Sequence, residues 1–464
     1  MAVQQINSDL KVSVSNRQIL SIALPISLAI LVPQINYVTN NIFLGDWSKK
    51  SLGDAGITSV YYLIVAVAGN GFNNALQSLI SKSGGEGNTD KIHIQLQQSI
   101  RIVLQFALAG ILFTWFVAPI ILKYFLNPVS YPDEINFLRI RVLGLPFLYL
   151  FQLGGAFLVG TLNSRYLMIG FIFQSLVNIF FDFTLIKGRL GLPQLGFNGA
   201  AVASVISEVI GLLVIIIVII KLKLHKRFNL RAKYSYNRLI SKEILKMSTP
   251  LVLQYVISLT TWLAFFIIVD GSYNADDKAI SNIMRNVFGC SGVFVWAFAS
   301  TTNAMVSNLV GQGRNHEVIT AIKKIMLLSL CSAFIIVALL NIFPHTFLSI
   351  FGQGDDFIQK AIPVLRVVSS AMLLMSIAVV WLNSLTGTGQ TRKNLATEII
   401  AIIFYLAYTL FIVKALRLPL LYAWSNECVY WIVVFSFAFI FMNKDKWKMK
   451  KNNYSVGPSV SERL

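Results

Sequence analysis

The sequence predicts an all-α polytopic membrane protein with twelve transmembrane helices in two pseudo-symmetric halves. Three observations carry this. First, 56% of the 464 residues are hydrophobic and only 13% are charged, against about 25% charged in a soluble globular chain. Such a chain can cover a lipid-facing surface but not a water-facing one. Second, apolar runs of roughly 20 residues, enough to span a bilayer, recur along the whole length. Third, a polar, basic stretch from Lys221 to Lys246 divides these runs into two sets of six. A membrane β-barrel would instead show alternating segments of about ten residues, which the sequence lacks.

The runs centre near Leu31, Val67, Leu108, Leu150, Leu176 and Leu212, then Ile257, Val295, Ala333, Leu374, Ile403 and Val433. The expected organisation is an N-terminal segment (1–18), a first half (19–224), a basic linker (225–243), a second half (244–443) and a basic tail (444–464). The polar first segment has no short apolar core followed by small residues, so no cleavable signal peptide is expected. Cys290, Cys331 and Cys428 fall inside apolar spans and are expected to be buried as small hydrophobes.

The formal net charge is +19, and its placement decides its meaning. Lys221, Lys223, Lys226, Arg227, Arg231, Lys233, Arg238, Lys242 and Lys246 lie between spans six and seven. Lys444, Lys446, Lys448, Lys450 and Lys451 follow span twelve. With twelve spans both clusters share one side. The opposite loops are short, and two are acidic, with Asp270, Asp276 and Asp277 in one and Asp355 and Asp356 in the other. The excess of Lys and Arg on cytoplasmic loops places both termini in the cytoplasm. The basic residues then face anionic headgroups, and nucleic acid is not an expected partner.

The two halves repeat one design. Pro25 of "ALPISLAI" matches Pro250 of "STPLVLQY". Asn74, Ala75 and Ser78 match Asn303, Ala304 and Ser307. The loop "GTLNSR" after span four matches "GTGQTR" after span ten, pairing Gly160 with Gly387 and Arg165 with Arg392. Glu208 on span six pairs with Glu427 on span twelve. The offsets are 225, 229, 227 and 219 residues. Each match is short, but four in one order at nearly constant offset indicate duplication. An even number of spans per half gives both halves the same orientation, with a cavity between them.

Polar residues inside the spans form stripes. On span five Gln174, Asn178 and Asp182 recur every four residues and share one face. An intramembrane carboxylate is costly and marks a functional site by default. Span one carries Gln34, Tyr37 and Asn41, with Pro25 and Pro33 expected to bend it. Span two carries Asn70, Asn74, Gln77 and Ser81, and span six carries Ser204 and Glu208. The first half is therefore expected to be the more polar inside. The second is aromatic, with Trp262, Trp296 and Trp381, whose rings could take a lipophilic cation. Glu398, near Arg392 and Lys393, is expected close to the membrane interface.

The span order, the "GQGRNHEV" loop after span eight and the "NxxxD" of span five resemble the multidrug and toxic compound extrusion (MATE) family, most closely its DinF-like branch. The likeness runs from about Ile19 to Phe441. It implies two six-helix lobes, a V-shaped cavity and efflux driven by Na+ or H+. The family's first-lobe cation site uses an Asp on span one, an Asn and an Asp on span five, and a hydroxyl on span six. The matching positions are Asn41, Asn178, Asp182 and Ser204. The departure is Asn41, where "YNLAD" of the branch becomes "YVTNN". One carboxylate is missing, which leaves Na+, expected at Asp182 and Asn178, or a single H+ on Asp182. The acidic residues of the NorM-like branch on spans seven and ten are matched here by Ser258 and Met375.

The expected function is an inner-membrane antiporter exporting an amphipathic or cationic organic compound against Na+ or H+, as a monomer without a cofactor. The expected cavity residues are Gln34, Tyr37, Asn74, Gln152, Gln174, Glu208, Trp262, Trp296 and Trp381. A flippase for a lipid-linked sugar is the alternative. A polytopic enzyme such as a prenyltransferase would need spaced acidic motifs for Mg2+ and diphosphate; Asp276–Asp277 and Asp355–Asp356 lack the partners. "SGGEGN" lacks the Lys-Ser/Thr ending of a P-loop, so direct ATP drive is not expected.

Overall fold

The computed structural model describes residues 10–47, 49–124, 126, 128–232, 234–351 and 354–444, without the side chains of residues 35–38 and 40–59. Twelve long helices follow one another. In the first half they are α1 (Asn16–Trp47), α2 (Lys49–Glu86), α3 (Thr89–Leu112), α4 (Leu145–Gly160), α5 (Leu167–Leu185) and α6 (Phe197–Lys221). In the second they are α7 (Arg238–Asp270), α8 (Ala275–Gly311), α9 (Val318–Ile342), α10 (Asp355–Gly387), α11 (Thr391–Leu410) and α12 (Asn426–Asn443). A lead helix, Tyr131–Arg141, enters α4 through a 3-10 turn at Val142–Gly144. Among the described residues eleven helices are long and apolar enough to cross a membrane; α2 completes the twelve.

Local signals set the ends. Asn88, Asn237 and Asn274 cap α3, α7 and α8 by accepting from Lys91, Ile240 and Asp277 N–H groups, satisfying donors a helix start leaves free. At the other ends, α2, α8 and α10 stop at glycines with positive φ: Gly87 (73°), Gly313 (74°) and Gly389 (76°). The following N–H bonds back five residues: Asn88 to Ser83, Arg314 to Leu309, Gln390 to Leu385. This is the Schellman arrangement, which a left-handed residue makes possible. α4 ends in the same turn, Asn163 N–H to Leu158 carbonyl at 2.7 Å. There Leu162 takes φ 61°, where the second half has Gly389. α1 and α7 are helical straight through Pro25, Pro33 and Pro250.

The first six helices pack as one lobe, chiefly α5 on α6 and α1, and α2 on α4. The last six form the other, with α10 against α8, α9 and α12, and α11 against α7 and α12. The lobes meet where α2 packs on α7 and α8, and α1 on α8. Exchanging the halves turns the α2–α7 contact into the α8–α1 contact, as the duplication requires.

The seam between α2 and α8 is built from small and polar residues. Ser78 and Ser307, duplicates of one another, meet hydroxyl to hydroxyl at 2.8 Å. Asn303 Nδ2 donates to the Asn74 carbonyl at 2.9 Å, and Gln77 Nε2 to the Ser300 carbonyl at 2.8 Å. A Cβ at Gly85 would collide with the Asn308 carbonyl, and one at Gly311 with the Lys82 carbonyl. The chain ahead of α1 crosses this seam. Leu10 and Val12 are buried. Asn308 donates to the Leu10 carbonyl at 2.8 Å and accepts from Val12 N–H at 3.0 Å. Gln312 and Arg314 both donate to the Val12 carbonyl, at 3.0 and 3.2 Å.

The interval between α6 and α7, residues 222–237, is shorter than the expected linker and is docked. Phe228 is buried edge-on to Phe157 of α4, Gln98 of α3 donates to the Ser235 carbonyl at 2.9 Å, and Arg101 lies over the Tyr236 ring at 4.4 Å. The expectation of buried cysteines fails at two positions: Cys290 and Cys331 are exposed, and Cys428 is half-buried. Apolar character alone does not distinguish a core position from a lipid-facing one.

The Ser78–Ser307 contact is short enough for a disulfide. In protein whose three native cysteines are replaced, the Ser78→Cys/Ser307→Cys pair should lose both thiols on mild oxidation and show a raised thermal midpoint. Two thiols that remain titratable after oxidation would contradict the seam.

Candidate functional site

The α5 stripe is turned into the first lobe. Asn178 is 3% exposed and Asp182 is 0% exposed. Close packing explains this. Gly199 lets the start of α6 approach the Leu185 carbonyl, and at Gly211 of α6 an added Cβ would stand 3.2 Å from the Gln174 side chain. On the α1 side Ser175 Oγ donates to the Val32 carbonyl at 3.3 Å. Both Asp182 oxygens and Asn178 Nδ2 lack a hydrogen-bond partner among the described residues. A buried carboxylate without partners is costly, and the two orphaned Asp182 oxygens fit a small cation.

Two further charged groups stand beside it. Arg141, the last residue of the lead helix, donates from Nη2 to Glu208 Oε1 of α6 at 2.7 Å. Its guanidinium lies 3.8 Å from the centre of the Tyr62 ring, and the Tyr62 hydroxyl donates to the same Glu208 oxygen at 3.3 Å. The Arg141 charge also acts on Asp182. Asp182, expected as the ionisable group of the first-lobe cation site, thus has two charged neighbours inside the lobe. Arg141 escaped notice because an arginine at the start of a span reads as an interface residue. Glu208, expected in the cavity, is instead committed to this ion pair inside the lobe. Ser204 lies one turn before Glu208 on α6, half-buried; its carbonyl accepts from Ser207 Oγ at 2.7 Å. The side chains of Asn41 and Tyr37 lie outside the described residues.

The other expected cavity residues divide. Gln34, Gln174 and Trp296 are half-buried. Asn74 donates to the Tyr255 hydroxyl of α7 across the lobe boundary, and Gln152 to Asn70 at 3.2 Å within the first lobe. Trp262 sits edge-on to Phe266 at 4.9 Å and engages Glu427, so it faces the α7–α12 seam. Trp381 is not a cavity residue: it is 2% exposed, its Nε1 points to Met326 Sδ of α9 at 3.3 Å, and its ring packs 4.9 Å from Phe439 of α12.

The second lobe is more polar inside than expected. Glu398, expected near the interface, is 1% exposed. It accepts from the Tyr430 hydroxyl at 2.6 Å and from Gln254 Nε2 at 3.3 Å, and Ser258 also reaches it. Glu427 accepts from the Tyr405 hydroxyl at 3.2 Å. The Tyr405 and Tyr430 rings meet at 5.8 Å, linking the two carboxylates through aromatic groups. The signal was present: Gln254 and Ser258 lie four residues apart on apolar α7. Among the described residues no salt bridge reaches Glu398 or Glu427, and no cluster of His, Cys, Asp and Glu suits a tightly bound metal. Glu398→Ala should lower the thermal midpoint, because a buried donor left unsatisfied costs about 1–3 kcal/mol. Glu398→Gln keeps an acceptor and should melt near wild type; a Gln variant as unstable as Ala would show that the network needs the charge.

Comparison with known proteins supports this architecture. The MatE family model matches residues 25–184 and 250–411, so its two copies begin at the duplicated prolines. A Thermotoga maritima protein named as a probable multidrug resistance protein NorM is 22% identical over 442 residues, covering 94% of this chain and 93% of its own. A MATE crystal structure in complex with MaD3S superposes with TM-score 0.85 at 17% identity, covering 94% and 98% of the two chains. An outward-facing multidrug resistance MATE family transporter of the MOP superfamily gives 0.85 at 16%, covering 94% and 96%. A MOP superfamily transporter from Pyrococcus furiosus Vc1, for which a binding pocket of reverse polarity suggests a different function, gives 0.83 at 17%, covering 94% and 97%. With a family model spanning both halves and this two-lobed bundle of twelve helices, the chain belongs to the MatE family of membrane transporters.

Proposed function

We propose that the chain is a secondary antiporter, not an enzyme, exporting amphipathic or cationic organic compounds in exchange for Na+ or H+ across the inner membrane. The observation that carries this is Asp182: a fully buried carboxylate whose oxygens have no donor among the described residues, set inside one lobe of a two-lobed bundle. Asn178 on the adjacent turn would supply an amide oxygen and Ser204 of α6 a hydroxyl; Asn41 of α1 enters the set only by its matching position in the sequence. The branch of the family that this set matches is the DinF-like one. The family and its drug-resistance relatives support the transport reading.

The basic interval between α6 and α7 and the basic tail place the seam end of the bundle in the cytoplasm, with both termini there. The Ser78–Ser307 and Asn308 contacts then close the cytoplasmic side, and the lobes part toward the outside. Gln34, Asn74, Gln174 and Trp296 contribute to the faces between the lobes. Exchange is coupled only if cation and substrate favour different states. A cation at Asp182 would change the packing of α5 against α1 and α6, and so the shape of the first lobe. No resident cofactor is needed, and one copy of the chain contains the whole site.

The test is export of a fluorescent cationic dye from proteoliposomes under a Na+ gradient and, separately, a pH gradient. One of the two gradients should drive export by the wild type, and Asp182→Asn should abolish it. Export by the Asn variant equal to wild type under both gradients would overturn the assignment.

A further inference from the structure

We propose that Arg141 is a resident counter-ion of the Asp182 site, resting on Glu208 while a cation occupies Asp182 and moving to Asp182 when the cation leaves. This rests on the reading of Asp182 as the coupling carboxylate and adds the group that makes its emptying tolerable.

The argument starts from charge. Among the described residues two carboxylates, Asp182 on α5 and Glu208 on α6, act on one guanidinium, Arg141. One positive and two negative charges leave a single negative charge, which one monovalent cation neutralises. Once that cation departs, an ionised Asp182 buried without a partner would cost several kcal/mol. Another cation must then take its place, and the nearest is already inside.

The geometry permits the exchange. A guanidinium carries five N–H donors. Among the described residues Arg141 uses Nη2 on Glu208, while its buried Nη1 has no partner. Glu208 Oε2 is likewise without one among them, so the ion pair is held through one oxygen rather than as a two-pronged clamp. A pair joined by a single contact is easier to part than a bidentate one. The Tyr62 ring lies against the guanidinium at 3.8 Å and holds the cation by its π-face without fixing its direction. Gly144, at the end of the 3-10 turn that follows Arg141, keeps the space open: a Cβ there would collide with Glu208 Oε2 and stand 3.0 Å from Arg141 Nη1. A 3-10 stretch between two α-helical segments is a common hinge. Of the two carboxylates of the lead helix, Asp133 is exposed and the buried Glu134 is engaged by Ser130 Oγ at 2.8 Å.

Movement of Arg141 also has a route to the lobe boundary. Tyr62 belongs to α2, the helix that packs on α7 and α8. Loss of the guanidinium from the Tyr62 face would change the packing of the one helix of the first lobe that meets both of these second-lobe helices.

The test uses reconstituted full-length protein, with the cation whose gradient drives export. The readouts are the cation concentration giving half-maximal export and the maximal rate. Glu208→Gln frees Arg141 to hold Asp182 and should raise the half-maximal concentration, by about tenfold for a typical coupling between sites. Arg141→Gln removes the competitor and should lower it by about as much, with a reduced maximal rate because the emptied carboxylate is no longer neutralised. Arg141→Lys keeps the charge and should stay near wild type. Opposite shifts for the two Gln variants are the signature, because loss of a merely structural salt bridge moves both the same way. Shifts in one direction, or none, while Asp182→Asn abolishes export would overturn the counter-ion role alone. Export undisturbed by Asp182→Asn would remove the coupling site and this proposal with it. If Arg141→Gln does not fold, Glu208→Gln with an unchanged or lowered half-maximal concentration is sufficient to reject it.

Discussion

Two backbones approach so closely at Gly85 and Gly311 that neither position has room for a side chain. That approach, between α2 and α8, is the constraint on which the two-lobed arrangement rests. Helices surrounded by lipid gain little from apolar contact with one another, so their association relies on close packing and interhelical hydrogen bonds. The seam supplies both. Ser78, Asn303, Gln77 and Asn308 satisfy polar groups across it, and the glycines bring the chains near enough for them to do so. The seam joins duplicated helices, and at its middle the duplicated serines Ser78 and Ser307 meet each other.

Charge is distributed unequally over this near symmetry. The first lobe encloses a guanidinium between two carboxylates, Glu208 in contact and Asp182 within its field. The second encloses Glu398 and Glu427, with tyrosine hydroxyls as their donors. Glu208 and Glu427 occupy duplicated positions, yet one is paired with Arg141 and the other with Tyr405. Duplication preserved the carboxylate and changed its partner. The two lobes therefore present different electrostatic interiors behind similar backbones.

Most of the fold was legible in the sequence, because it depends on length, apolar content and repetition. Twelve runs, the Pro25–Pro250 and Ser78–Ser307 pairs and the basic divide between spans six and seven give the helix count and the two halves without reference to any contact. The stripe of Asn178 and Asp182 was legible for the same reason, since helical period puts both on one face. Orientation around other helices was not. Glu398 was placed near the interface by its neighbours Arg392 and Lys393, although its position on the helix turns it toward Gln254 and Tyr430. Arg141 was not singled out, because its buried setting is built by Glu208 and Tyr62, which lie far from it in the chain. Trp381 was assigned to the cavity by composition; packing against Met326 and Phe439 places it elsewhere. Aromatic content says how much ring surface a lobe holds, not which way it points.

The strand at Leu10–Val14 gives the closed end a property that the helices alone would not have. It is held by Asn308, Gln312, Arg314 and Lys324 of the second lobe, and Asn308 also grips the Ser81 carbonyl of the first. Parting the lobes at this end means lifting the strand out, and exposing Leu10 and Val12 costs about 1.5–3 kcal/mol for each side chain. The strand thus behaves as a clasp, whose grip sets how much of the resting population is shut at this end. A change that loosens or tightens it would shift the direction in which the protein waits for its cargo, without touching any group that binds that cargo.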